Sequence, residues 1–180
     1  MKLMIASDIH GSAHFCQQLV ERFHDENPTK LLLLGDILYH GPRNALPQGY
    51  DPQTVAQMLN QIAQKIIWVQ GNCDADIDQM LLNFPVAQNC LFFDGSRTLF
   101  ASHGHVFNMQ NPPALASGDV LLNGHFHVPT AEVFGNDNLY VNCGSVSIPK
   151  QNSPHCYLVL QDGTFTWKDL QGNLFKTHKI

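Results

Sequence analysis

The sequence predicts an α/β domain of the α+β sandwich type, in which two mostly β-sheets pack face to face and are flanked by helices. Two observations favour this fold. The first half of the chain alternates short apolar runs with helical periodicity, and the second half consists mainly of short apolar runs separated by turn residues. Because the sequence shows no repeat, low-complexity tract or linker, we expect residues 1–180 to form a single domain.

Short apolar runs predict the strands. In the first half three runs stop at a polar residue, at residues 3–7, 31–34 and 66–69. In the second half, runs on either side of turn residues predict hairpins. These are residues 91–93 with 98–101 around Gly95-Ser96, 132–134 with 139–141 around an Asn-Asp turn, and 157–160 with 164–167 around Asp162-Gly163. A separate run at residues 120–122 predicts one further strand.

Three segments predict helices. Residues 12–26 carry an apolar stripe that includes Leu19 and Phe23. Asp51 and Pro52 are typical of an N-cap and a first helical residue, so a second helix is expected to begin there, after a loop over residues 38–52. A short third helix is expected after the third strand. It contains Ile77, Met80, Leu81 and Phe84.

Composition excludes several classes of protein. A net charge of −5, with ten histidines not counted, argues against general nucleic-acid binding, which needs a basic face. Five cysteines without a CxxC pair argue against a disulfide framework. Asp8 comes too early for a signal peptide, and no apolar run approaches transmembrane length. We therefore expect a cytoplasmic protein that does not insert into membranes.

Polar residues with metal-ligand chemistry follow five of the predicted strands, where the sites of open α/β sheets lie. They are Asp8 and His10, Asp36, Asn72, His103 and His105, and His125 and His127. Turn chemistry or a solvated pair explains each motif alone, but five such coincidences indicate one shared site. Carboxylate, amide and imidazole suit borderline divalent ions, and no cysteine is needed, which argues against structural zinc. Two such ions would leave positive charge for a bridging hydroxide and a phosphate substrate.

The order of these motifs resembles that of the calcineurin-like metallophosphoesterases. The matching segments are Asp8-x-His10, Gly35-Asp36, Gly71-Asn72-x-Asp74, His103-Gly104-His105, Gly124-His125-x-His127 and Asn142-Cys143-Gly144-Ser145. The resemblance implies the calcineurin-like fold and a metal-dependent phosphodiesterase that hydrolyses a small phosphodiester by means of a metal-bridging hydroxide.

The resemblance also implies the ligand set of two divalent ions. One ion would be held by Asp8, His10, Asp36 and His127, and the other by Asp36, Asn72, His103 and His125. Asp36 would bridge the two ions. The resemblance favours Mn²⁺, although this donor set also accepts Fe, Ni or Zn.

Five more residues are predicted to act near the metals. Cys73 stands where the family usually has a histidine that contacts phosphate, so a catalytic role and a packing role both stay open. His105 and Asp74 are further catalytic candidates, and each could instead position a neighbouring group. Arg43 and Asn44, in the 38–52 loop, are predicted to bind substrate, with a solvated loop as the alternative for Arg43.

Two other functions compete with the enzyme. The small retromer subunit resembles this fold but acts as an interaction scaffold with a degraded site, whereas all seven ligand positions are filled here. A binuclear hydrolase of a non-phosphate ester is the third reading, and the absence of a His-x-His-x-Asp-His run counts against its metallo-β-lactamase-type form. The resemblance also suggests a homo-oligomer, for which the sequence indicates no interface.

Overall fold

The computed structural model describes residues 2–95 and 97–180, and these form two packed β-sheets. The larger sheet contains β1 (Lys2–Ala6), β2 (Lys30–Leu33), β3 (Ile66–Val69), β4 (Val86–Ala87), β10 (Cys156–Gln161), β11 (Thr164–Asp169) and β12 (Leu174–Lys179). The smaller sheet contains β5 (Cys90–Asp94), β6 (Arg97–Ala101), β7 (Val120–Asn123), β8 (Thr130–Phe134) and β9 (Asn138–Asn142). The strand orders are β12-β11-β10-β1-β2-β3-β4 and β5-β6-β7-β9-β8. This arrangement confirms the predicted sandwich of two sheets.

The two halves of the sequence do not correspond to the two sheets. β1, β2 and β3 run parallel, but the C-terminal strand β10 pairs antiparallel with β1 and brings β11 and β12 into the larger sheet. β10 can occupy a central position because it is apolar on both faces. Tyr157 and Val159 pack toward the helices, while Leu158 and Leu160 pack toward the smaller sheet.

The helices cover the outer face of the larger sheet, as their apolar stripes require. α1 (Ala13–Glu26) begins at Ser12, whose hydroxyl accepts from the N–H of Phe15, and ends before Asn27 in the left-handed region. α2 (Pro52–Asn60) is capped by Asp51, as predicted. Among the described residues, no helix is long and apolar enough to cross a membrane.

The predicted third helix is present as a short 3-10 helix, and two of its apolar residues are exposed. Residues Asp76–Met80 form a 3-10 helix of five residues, too short to carry an amphipathic stripe. Ile77 and Met80 are 58% and 78% exposed, whereas Phe84 is buried. The three predicted hairpins are confirmed, although Ser96 of the first turn lies outside the described residues. β4 and β12 were not predicted.

An ion cluster lies at the N-terminal end of β1. The carboxylate of Glu26, at the end of α1, forms ion pairs with Lys2 and Lys168, at 2.5 Å and 2.6 Å. It also accepts the hydroxyl of Tyr157 at 2.9 Å. Burial alone would raise the pKa of Glu26, but these donors lower the pKa to about 2. The cluster therefore ties α1 to three strands of the larger sheet, and every partner of the Glu26 carboxylate is supplied by the protein.

Candidate metal centre

The seven predicted ligands meet between the two sheets, beyond the carboxyl ends of five strands. They come from the segments after β1, β2, β3, β6 and β7, and they are Asp8, His10, Asp36, Asn72, His103, His125 and His127. The parallel pairing of β1, β2 and β3, and of β6 and β7, places these segments at one edge of the sandwich. Three-residue groups with ligand atoms within 4.8 Å include Asp8 with His10 and His127, and Asp8 with Asp36 and His103.

Three imidazoles are oriented in the same way. Each faces a backbone carbonyl with Nδ1, and because a carbonyl only accepts, each Nδ1 must carry the proton. The distances are 2.9 Å from His10 to Tyr39, 2.6 Å from His103 to Leu34 and 2.6 Å from His127 to Ile148. The remaining nitrogen, Nε2, then has a lone pair when the ring is neutral. Metal-binding histidines are commonly oriented by such a hydrogen bond.

Each of these Nε2 atoms faces a carboxylate. His127 Nε2 lies 3.1 Å from Asp8 Oδ1, and His10 Nε2 lies 3.5 Å from the same oxygen. His103 Nε2 lies 3.5 Å from Asp36 Oδ2. Asp8 Oδ1 and His10 Nε2 are buried without a hydrogen-bond partner among the described residues. Lone pairs that face each other across a buried gap require a cation between them, either a proton or a metal ion.

The pKa values show how strongly the site attracts positive charge. Burial alone would raise the pKa of Asp8, but the facing His10 and His127 hold it well below the ordinary value. Burial alone would lower the pKa of His103, but Asp36 and Asp8 raise it to about 9. A divalent ion would therefore have to displace protons on binding.

The second group of ligands is more open. Asn72 is exposed, and its Oδ1 lies 3.0 Å from His103 Nε2. His125 Nδ1 lies 3.1 Å from the same His103 nitrogen. Burial and then the charge of His103 lower the pKa of His125 to about 4. An amide oxygen and two imidazole nitrogens thus converge beside Asp36 on the solvent side of the site.

The backbone of the site is strained where the ligands lie. Five of the seven have positive φ, namely Asp8, His10, Asp36, His125 and His127, at 49° to 63°. Such conformations cost about 1 kcal/mol or more each and cluster at functional sites. Glycines permit the close approach: a Cβ on Gly71 would lie 2.2 Å from Asp36 Oδ1, and one on Gly124 would lie 2.0 Å from Ser7 Oγ.

The segment after β9 holds the strained Asp8 in place. The hydroxyls of Ser145 and Ser147 each donate to the Asp8 carbonyl at 3.0 Å. The carboxylate of Asp8 accepts the backbone N–H of His125 at 2.9 Å. Residues far apart in sequence therefore fix the direction of one carboxylate.

Asp74 holds the backbone of the site, as in the positioning alternative to its predicted catalytic role. Its carboxylate accepts the backbone N–H groups of Asp36, Ile37 and Gly71 at 2.7–2.9 Å and the indole N–H of Trp68 at 3.2 Å. These bonds join the ends of β2 and β3. Burial raises the pKa of Asp74.

Cys73 lies between the ligands and the 38–52 loop. Its backbone N–H donates to Asp36 Oδ1 at 2.8 Å, and its Sγ accepts from the Asn72 amide at 3.2 Å. Burial, followed by the charge of Asp36, raises the pKa of the Cys73 thiol to about 12. A thiol with that pKa is a weak acid at neutral pH.

Two cavities share the exposed Asn72, and the first of them is lined by five of the seven candidate ligands, so it contains the centre itself. The first, here called the cation pocket, has a volume of ≈700 Å³, and Arg43, Asn44, Phe126 and Lys150 are among its lining residues. Asn44 uses its amide N–H to donate to the His40 carbonyl at 2.8 Å, so it also holds its own loop. Lys150 was missed as a functional residue, because a lone lysine in a loop carries no motif.

The second cavity, here called the amide pocket, has a volume of ≈450 Å³. It is lined by the exposed His105 together with Gln70, Gln88, Asn89, Val106 and Phe107, and it also reaches His103. His105 thus lines a different cavity from Arg43, and its ring centroid lies 5.4 Å from that of His103. Burial and the charge of His103 lower the pKa of His105.

The residues present fit divalent metal ions. The unpartnered Asp8 oxygen and His10 nitrogen, the three rings oriented through Nδ1, and the facing Asp36 all need a cation that the protein side chains do not supply. Carboxylate, imidazole and amide donors are the chemistry that borderline divalent ions accept.

The fold and this arrangement define a phosphoesterase, and the chain belongs to the calcineurin-like phosphoesterase superfamily, whose profile matches residues 1–163. The chain is 49% identical over 165 residues to the phosphodiesterase YfcE of Escherichia coli (strain K12), covering 90% of this chain and 88% of that protein. The solved structure of the E. coli phosphoesterase YfcE superimposes with a TM-score of 0.95, at 44% identity over the whole of both chains. An archaeal phosphodiesterase matches with a TM-score of 0.62 at 18% identity over the whole of both chains, which shows the shared fold.

Proposed function

We propose that this chain is a phosphodiesterase that uses two divalent ions, one held by Asp8, His10, Asp36 and His127, the other by Asp36, Asn72, His103 and His125. The observation that supports this most directly is the orientation of three imidazoles. Each has its proton committed to a backbone carbonyl and its other nitrogen directed at a carboxylate. Mn²⁺ is the proposed ion, and Fe, Ni or Zn would be accepted by the same donors.

Bound ions of this kind lower the pKa of water and neutralise the charge on phosphate oxygens. The chain's own residues supply the rest. Asp74 holds the backbone of Asp36 and Gly71, so it fixes the shared carboxylate. Ser145 and Ser147 hold Asp8. Arg43 and Lys150, in the cation pocket, are placed to pair with anionic oxygen of the substrate.

A diester is the proposed substrate for two reasons. The relative YfcE is named a phosphodiesterase. In addition, two cavities meet at Asn72, which gives room for an organic group on each side of one phosphorus. Because burial raises the pKa of the Cys73 thiol, it is a weaker acid than an imidazolium and protonates a departing alkoxide less readily. We therefore expect faster turnover of diesters with activated leaving groups.

The test is hydrolysis of bis-p-nitrophenyl phosphate beside p-nitrophenyl phosphate, first after removal of metal and then with Mn²⁺ restored. We expect diester cleavage that is lost with the metal and returns with it, and slower cleavage of the monoester. Metal analysis of the restored protein should give two ions per chain. Cleavage of neither ester with any divalent metal would instead favour an interaction scaffold, a reading that the complete ligand set disfavours.

A further inference from the structure

The two cavities beside the centre differ in charge. The cation pocket contains Arg43 and Lys150, whereas the lining of the amide pocket contains no lysine or arginine among the described residues. The one carboxylate near the amide pocket, Asp74, has its oxygens occupied by backbone N–H groups and Trp68. An anionic group would therefore favour the cation pocket. The amide pocket offers hydrogen bonds without net charge.

The chemistry of the amide pocket is that of carboxamides beside an aromatic ring. Gln70, Gln88 and Asn89 each present a donor and an acceptor in one plane, and Gln88 and Asn89 are exposed to a ligand. Phe107 has an apolar ring, fixed against Phe100 with centroids 5.4 Å apart. Paired donors and acceptors with an apolar flank match a planar heterocycle, as when Asn or Gln reads an adenine edge.

We propose that the amide pocket binds the nucleobase of a nucleoside arm of the substrate, so that the enzyme acts on nucleoside phosphodiesters. This inference rests on the proposed phosphodiesterase function. Because Asn72 lines both cavities, a phosphate at the centre would have its nucleoside arm on one side and its second arm beside Arg43 and Lys150. A volume of ≈450 Å³ lies within the range of small-ligand sites and holds one nucleoside.

The test compares two esters that share one leaving group. Thymidine 5′-(p-nitrophenyl phosphate) and methyl p-nitrophenyl phosphate both release p-nitrophenolate and differ only in the retained arm. With Mn²⁺ bound, we expect kcat/KM to favour the thymidine ester by about tenfold or more. The thymidine arm can make a few hydrogen bonds and ring contacts in the amide pocket that a methyl group cannot make. In the double variant Gln88→Ala, Asn89→Ala the ratio should fall close to one.

The matched control is Gln57→Ala, which removes an exposed carboxamide on α2, outside both pockets, and should keep the wild-type ratio. A wild-type ratio near one, or a ratio that the double variant leaves unchanged, would overturn the inference. So would a glyceryl p-nitrophenyl phosphate that is cleaved faster than the thymidine ester, because a polyol would then be the occupant.

A binding measurement separates this inference from the proposed function. Thymidine 5′-monophosphate and inorganic phosphate are titrated calorimetrically into the Mn²⁺-loaded protein. If no ester is cleaved but the nucleotide binds about tenfold more tightly than phosphate, and the double variant loses that preference, the phosphodiesterase proposal fails and the pocket assignment stands. Equal affinity for the two ligands in the wild type overturns the pocket assignment, whatever the ester assays show.

Discussion

The two ends of β1 carry carboxylates in opposite situations. At the N-terminal end, Glu26 has two lysines and a tyrosine hydroxyl as partners. At the C-terminal end, Asp8 and Asp36 face histidines whose protons are already committed to carbonyls. The first cluster is complete within the protein. The second is complete only when a cation is added.

This difference separates a structural charge cluster from a functional one. Burying a carboxylate is costly unless it is paired, so a fold that buries one without a partner must gain something else from it. The positive φ of Asp8 and Asp36 adds to that cost, whereas Glu26 lies within regular helix. We infer that buried carboxylates that face imidazoles, together with backbone strain, mark the site, and that the Glu26 cluster serves stability alone.

The largest effect is expected from Asp36→Asn. Removing the shared carboxylate should lower kcat for bis-p-nitrophenyl phosphate by about a thousandfold or more, because metal ions supply several kcal/mol of charge stabilisation and each 1.4 kcal/mol is tenfold in rate. The measurement is steady-state hydrolysis with Mn²⁺, with metal content measured on the same sample.

The matched control for that variant is Asp162→Asn. Asp162 also has positive φ, at 50°, but it lies in an exposed hairpin turn. The Asp162→Asn variant should keep wild-type activity and metal content. Retention of more than about a tenth of the activity by Asp36→Asn would contradict the two-ion proposal. The variant would then have lost less than about 1.4 kcal/mol of transition-state stabilisation, too little for the loss of a metal ligand.

A gain of activity is expected from Cys73→His. Imidazole titrates near neutral pH, whereas the Cys73 pKa is about 12, so the variant should cleave diesters with alkyl leaving groups up to about a hundredfold faster. Diesters with a p-nitrophenolate leaving group should change much less, because that group needs no proton. Unchanged rates on both kinds of ester would show that residue 73 takes no part in proton transfer.

Metal removal should lower the thermal stability of the protein through the site at the C-terminal end of β1 and not through the Glu26 cluster. Mn²⁺ at about 100 times its Kd should stabilise the fold by about 2.7 kcal/mol, which raises Tm by roughly 5–10 °C for a domain of this size. Asp36→Asn should lose most of this shift, and Glu26→Gln should keep it. Calorimetry with and without chelator measures the shift in Tm. Equal shifts in both variants would contradict the proposal that Asp36 binds metal and Glu26 does not.

The smallest effect is expected from Glu26→Gln. Loss of its charged hydrogen bonds should lower the free energy of unfolding by about 1–2 kcal/mol at pH 7, with activity unchanged. Because the folded pKa of Glu26 is lowered to about 2, its contribution is present above pH 4.5 and is lost as pH falls toward 2. Urea unfolding between pH 2 and 5 should therefore show a shallower dependence in the variant. The same pH dependence in the wild type and the variant would contradict the stabilising role of the Glu26 cluster.

The sequence predicted the local elements well and the long-range pairing poorly. Apolar periodicity and the Asp51 cap located α1 and α2, because both signals are encoded within one segment. The sequence of β10 does not indicate that this strand pairs with β1, about 150 residues away. β12 was missed because an exposed edge strand needs no apolar alternation. The exposure of Ile77 and Met80 could not be predicted from the sequence, because a short 3-10 helix can expose its apolar residues.

For the candidate site, residue type and order were enough to pick out seven residues that the structure brings close together, and their role as metal ligands stays a prediction. The prediction was weaker for residues that act through position. The buried hydrogen bonds of Asp74 could not be predicted from its motif, and the separate cavities that His105 and Arg43 line depend on how the chain folds. Lys150, Gln88 and Asn89 belong to no motif, so only the folded chain brings them to the centre.

The hold of Ser145 and Ser147 on Asp8 also bears on how the protein is made. During synthesis, all seven ligands have been translated by residue 127, yet the segment that fixes Asp8 and the strand β10 that borders β1 come later. Contacts of such high sequence separation form late. A ribosome-bound chain that stops before residue 145 would thus carry every proposed ligand and still lack the contacts that fix Asp8, so we expect metal to bind tightly only after those contacts have formed.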